Sequence, residues 1–240
     1  MTMPFLRKRT RIKNPDIPLY TDVPPKKRLG RLLNFARSFG FDECFCDDRG
    51  LLPVFSFIRM LSDRLYSERV VEVISRDGIS TDFQIGYLLK YFQEDDPVFC
   101  KPVTGTADID LAIHPAICNV WQDYRLICAF NNTATAGNPW QYHKPNHLAR
   151  LYLPFGLTAV YNGNHSSAAG ILKKEGILHI PEGSILDLSP MYDSFRFDGE
   201  NYLDNDGKIA FAANSFEFGV IYEIGRIIHS KGVRFLGIDF

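Results

Sequence analysis

The chain has 240 residues, 45% of them hydrophobic, and a formal net charge of −1 at pH 7. That is enough apolar material to bury a full core, while the balanced charge excludes nucleic-acid binding by a broadly basic surface. No apolar run approaches the ~20 residues of a membrane span, and the basic amino terminus leads into no signal-type apolar stretch. The expectation is a cytoplasmic protein with no membrane partner. Five scattered cysteines with no C-x-x-C pair fit reduced thiols in that compartment. Asp42, Glu43, Asp47 and Asp48 surround Cys44 and Cys46 and would raise, not lower, their thiol pKa values.

In chain order, RKRTRIK and KKRLGR make the first 31 residues basic and proline-bearing. Residues 1–26 read as a solvated, partly extended arm, able to touch phosphates, nucleic acid or an acidic protein partner. Residues 27–96 read as helical. From Arg31, Leu32, Leu33, Phe35, Ala36 and Phe39 fall at helical spacing, with Gly40 as a stop. A second helix starts near Pro53 and closes at Gly78, and a third follows Thr81.

From Pro97 to the end, residues 97–240, the texture is α+β. PVFCKPV and ADIDLAI are strand-like, AICNVWQDYRLICAFNN reads as a helix, and TATAGNPW is a loop. HLARLYL and LTAVY across the turn PFG form a hairpin. ILHI and SILDL follow as strands, then a turn at Asp198-Gly199. The last helix, SFEFGVIYEIGRIIHSKG, places Phe218, Ile221, Tyr222 and Ile224 on its buried side.

The polar knot in VYNGNHSSAAGIL carries the chemistry. A strand running into a helix through a glycine turn exposes backbone N–H groups that, with the helix dipole, favour an anion such as phosphate. Gly163 would let a ligand approach, Asn164 or Ser166 would cap the first turn, and Ser167 follows them. The dipole keeps His165 neutral. A neutral ring accepts a proton, binds a metal, or pins the turn to a neighbouring loop, and the motif alone does not choose among these.

Upstream, Trp140, His143, Asn146, His147 and Arg150 crowd one loop and strand start. The hairpin would bring His147 and His165 to the same end of a sheet. His143, His147 and His165 could form a metal set with Asp187 or Asp198, although a proline-interrupted loop denies the first two i, i+4 helical geometry. Glu223 and Arg226 are either an intrahelical pair worth ~0.2–0.5 kcal/mol, or respectively an orienting group for His165 and an anion contact.

At G-N-H-S, from His147 to Leu172, the layout resembles the ParB/sulfiredoxin superfamily, in which a strand ends in G-x-H-R and the next helix start holds nucleotide phosphates. That resemblance implies a ParB/sulfiredoxin-like mixed sheet with helices in the carboxy-terminal half. It matches Gly163 and His165 to the motif. Asn164 stands where sulfiredoxins carry cysteine, which removes their sulfinic-acid chemistry, and Ser166 replaces the arginine, leaving Arg150 or Arg226 to supply its charge. DIDLAIHP, NPW, NH, LPFG, GNHSSAAGI, FDGENY and YEIGR, over Asp108 to Arg226, resemble an uncharacterised bacterial family with a G-N-H-S core. It has no established activity, and it implies one constellation of His147, Asn164, His165, Ser166, Asp198, Glu223 and Arg226.

The catalytic candidates are therefore His165, His147, Glu223 and Asp198. The ligand-binding candidates are Gly163, Asn164, Ser166, Ser167, Arg150, Arg226 and Trp140, with no residue assigned as a metal ligand. The function expected is binding or processing of a nucleotide or nucleic-acid phosphate. A non-catalytic nucleotide-sensing or interaction module and a histidine-metal nuclease are the alternatives, a nucleotide being the first cofactor to test and a divalent metal the second.

Overall fold

The computed structural model of the chain describes residues 22–75 and 99–240. Most of the basic arm, the predicted stop at Gly78 and the predicted helix after Thr81 lie outside those residues. Helix α1 spans Pro25–Arg37, beginning six residues before Arg31. Pro25 sits at the first helical position, where its missing N–H costs nothing, and Lys26, read as the end of the arm, is an exposed residue of the helix. Helix α2, Pro53–Ser75, likewise opens on a proline. Its apolar residues are buried on more than one side, from Val54 and Phe55 to Val70 and Val73.

The rest is α+β. A five-stranded mixed sheet has the order β1-β7-β4-β5-β3, with β1 Lys101–Val103, β3 Ala116–Cys118, β4 Leu148–Leu153, β5 Leu157–Asn162 and β7 Ile185–Asp187. β4 and β5 form the predicted antiparallel hairpin across a turn containing cis-Pro154. β3 lies parallel to β5 and β7 parallel to β4. Four consecutive β5 residues, Leu157–Val160, are buried, which requires both faces of the sheet centre to be covered. α2 packs against β3 and β5, and helix α4, Asn164–Lys173, packs against the same two strands.

AICNVWQDYRLICAFNN is not one helix. Ala116–Cys118 is the buried edge strand β3, and helix α3 starts at Asp123 and ends, as expected, at Asn132. β2, Ala107–Asp110, pairs antiparallel with β6, Ile177–Ile180. The Asp198-Gly199 turn joins β8, Arg196–Phe197, to β9, Asn201–Leu203, and β10, Ile209–Ala212, adds a third strand that the sequence reading lacked. Helix α5, Phe216–Ser230, is capped by the Ser215 hydroxyl, which accepts from the Phe218 amide at 3.2 Å. Phe218, Ile221, Tyr222 and Ile224 are buried as expected. α1 and α2 both pack on α5, so residues from Leu29 to Phe235 share one apolar core.

Candidate functional site

The hairpin register sets the site. Leu148 pairs with Asn162, so the loop before β4 and the start of α4 lie at one end of the sheet. Gly163 is the N-cap of α4 in the left-handed region, φ 73°. A Cβ there would stand 2.6 Å from His147 Cδ2 and 2.7 Å from the Asn146 carbonyl oxygen. The glycine is thus required by the 146–147 backbone and ring, which occupy the approach expected for a ligand. Neither predicted cap forms, because the N-cap residue has no side chain to accept from the first turn. Asn164 Oδ1 instead accepts from the Asn119 amide at 2.9 Å, and Ser166 Oγ donates to the Gly163 carbonyl at 3.0 Å. The amides of Asn164, His165 and Ser166 are therefore left uncapped by any side chain.

His147 is fixed from both sides. The His143 amide donates to Nδ1 at 2.9 Å, so in the neutral ring the proton sits on Nε2, 2.8 Å from Ser166 Oγ. Trp140 stacks on this ring with centroids 4.7 Å apart, and its indole N–H donates to the Ser166 carbonyl at 2.9 Å. Burial, and then the neighbouring His143, depress the His147 pKa to about 4. A general base must present a lone pair to the hydroxyl that it activates. Here His147 presents an N–H, and Ser166 spends its own proton on Gly163. The trio locks loop to helix. His147 and His143 do share a single helical-type turn, the His147 amide donating to the His143 carbonyl at 2.8 Å, which the prolines were expected to prevent.

His165 has the opposite tautomer. One ring nitrogen donates to the Gln122 carbonyl, while Nε2 is buried with no partner. That leaves Nε2 as a bare lone pair. The ring meets Trp121 edge-on at 4.5 Å. Burial first, and Arg125 nearby, lower its pKa against the opposing pull of the Gln122 carbonyl, so the ring is neutral at pH 7. Ser167 is fully buried, and its hydroxyl also lacks a partner.

The remaining candidates belong elsewhere. Glu223 Oε1 accepts from the Phe197 amide at 2.8 Å, and Oε2 pairs with Arg226 Nε at 2.9 Å. Arg226 also donates to the carbonyls of Tyr192 and Phe195. Asp198 Oδ1 accepts from the Glu200 and Asn201 amides, as a turn residue. Glu223 and Arg226 hold α5, β8 and the Ser189–Asp193 turn together, while Asp198 closes its own turn; none of these bonds reaches His165, so the expected single constellation divides into separate sets. Arg150 lies over the exposed Tyr161 ring, 5.5 Å from its centroid. Asp187 accepts from the Ser189 amide and hydroxyl. Among the described residues, no three His, Cys, Asp or Glu side chains form a metal-sized group.

Trp121, Gln122 and Arg125 are the site residues that sequence reasoning missed. The texture of AICNVWQDYRLICAFNN reads as one long helix, which conceals them. The signal against that was present in Asn119 and in Asp123, an acid suited to a helix's first turn. No helix among the described residues is long and apolar enough to cross a membrane. A family model described as "Family of unknown function (DUF6710)" matches residues 21–235. No curated protein and no solved structure matches the chain.

Proposed function

The chain belongs to DUF6710, a family of unknown function, and from that premise we propose that it binds a phosphate-bearing ligand, a nucleotide or nucleic-acid phosphate, at the start of α4. One combination carries the reading: the first-turn amides of α4 are uncapped by any side chain, and the exposed Arg125 lies near enough to the His165 ring to lower its pKa. A helix start carries the equivalent of about half a positive charge, and an arginine next to it adds a bidentate partner for phosphate oxygens. The strand–glycine–histidine–helix order is the part of the ParB/sulfiredoxin layout that supports a phosphate ligand. Arg125, from α3, takes the charge role expected of Arg150 or Arg226. Tyr161, 54% exposed two residues before Gly163, offers a face on which a base can stack.

Binding is favoured over turnover because the Ser166–His147 pair has the wrong tautomer for a nucleophile and its base. The processing reading rests on His165 alone, whose Nε2 lone pair is suited to accept a proton from a ligand hydroxyl. Calorimetry with inorganic phosphate, nucleoside mono- and triphosphates and a short single-stranded oligonucleotide, followed by product analysis, tests both. Arg125→Gln is expected to weaken binding about tenfold, the loss of one charge-assisted contact, with an unchanged melting temperature. Affinity equal to the wild type in that variant, or no binding to any of these probes, overturns the proposal.

A further inference from the structure

A cavity of about 450 Å³ lies away from α4, between the segment that joins α1 to α2, the His114 turn and the stretch after α5. Its volume is in the range that small-molecule sites occupy. Among the described residues, Arg49, Lys231 and Arg234 line it against the carboxylate of Glu43. Arg234 also pairs with Asp239 at 2.6 Å, on the outer surface. The Asp47 carboxylate lies close by but is turned into its own loop, where it accepts from the Arg49 and Leu51 amides.

His114 lines this cavity. It is only 6% exposed, and the Asp110 amide donates to its Nδ1 at 2.9 Å. The neutral ring therefore carries its proton on Nε2. Burial keeps that ring neutral, and Phe235 packs edge-on against it at 5.4 Å. The inner wall is apolar, formed by Leu51, Leu52 and Phe55.

An apolar inner wall opposite a cationic rim, with the His114 ring in the lining, matches a molecule with an apolar body and a doubly charged head. A phosphomonoester carries about −1.5 to −2 at pH 7, a charge that Arg49 and Lys231 can offset. We propose that this cavity is a second ligand site, which takes a small phosphomonoester with an aromatic or aliphatic body. Its head lies on Arg49, Lys231 and the His114 Nε2–H, and its body lies against Leu51 and Phe55.

The test uses the full chain with phenyl phosphate as probe, and phenol and inorganic phosphate as its two halves, by calorimetry and thermal shift. Phenyl phosphate is expected to bind more tightly than either half. Arg49→Gln and Lys231→Gln should each weaken it about tenfold. His114→Leu should do the same if it folds; should it not fold, the two exposed variants still decide. Arg125→Gln leaves this binding unchanged, which separates it from the site at α4. Absent binding, unaltered affinity in the Arg49→Gln/Lys231→Gln double variant, or loss in Arg125→Gln would each overturn the assignment.

Discussion

The histidines show how one side chain takes different work from its hydrogen bonds. His114 and His147 each accept a backbone amide from four residues upstream at Nδ1, so in the neutral ring the proton sits on Nε2. A ring N–H of His165 donates to the Gln122 carbonyl, which leaves the lone pair on Nε2. All three have lowered pKa values, with burial as the largest cause. The unfolded chain, whose histidines titrate near 6.5, therefore binds more protons than the folded one as the pH falls. Their contribution to stability is complete above about pH 6.5 and is lost as acid is added, down to about pH 4, where folded His147 titrates. Melting temperature followed from pH 7 to 5 should drop. His147→Gln keeps a donor for Ser166 but takes up no proton. It should cost about 1–2 kcal/mol at pH 7, from the unpaired His143 amide, yet show a shallower fall with acid. A fall as steep as in the wild type would mean that His147 is not depressed by its surroundings.

At the scale of elements, the β5–α4 junction depends on what lies behind Gly163 more than on what lies in front. Gly163→Ala must both hold a left-handed backbone and push a Cβ into His147 and Asn146. Strain and overpacking together should cost about 2–4 kcal/mol in chemical denaturation. Gly183→Ala has a similar φ of 79° but open space around it, so only the strain of about 1–2 kcal/mol applies. Equal losses at the two positions would show that the 146–147 contact is not what requires glycine. Gly30→Ala, inside α1 with nothing within 4 Å, should instead stabilise by about 0.5–1 kcal/mol. The hairpin and its meeting with α4 were legible in the sequence, because HLARLYL, PFG and LTAVY each carry a local signal. β3 was not. Ala116–Cys118 is buried throughout, and a continuous short apolar run reads as readily as helix as it does as strand. Misreading it hid Trp121, Gln122 and Arg125. Gly163 was legible as a special backbone position, but its neighbour His147 is brought there only by register.

Across the whole molecule, α5 is where the amino-terminal helices and the carboxy-terminal sheets meet. α1 and α2 pack on it, and β8 and the Ser189–Asp193 turn close its other side. Along that side Gly219 and Gly225 leave room for the rings of Phe197 and Tyr192. The sequence showed that Glu223 and Arg226 sit on a buried helix and so need partners; those partners are backbone groups of Tyr192, Phe195 and Phe197, which local patterning does not reveal. The pair is a clamp between layers, which predicts a mutational signature unlike that of a binding site. Arg226→Met leaves Glu223 Oε2 and two carbonyls without their donor, at a cost of about 2–4 kcal/mol. Adding Glu223→Leu removes the stranded charge, but it also unpairs the Phe197 amide. The double variant should therefore regain only part of the loss, and a double-mutant cycle should give a coupling above about 1 kcal/mol. Phosphate affinity, measured on the folded fraction well below the melting temperature, should be unchanged in both. A tenfold loss of affinity with little change in stability would place Arg226 on the ligand instead, and would restore the single constellation that the fold divides.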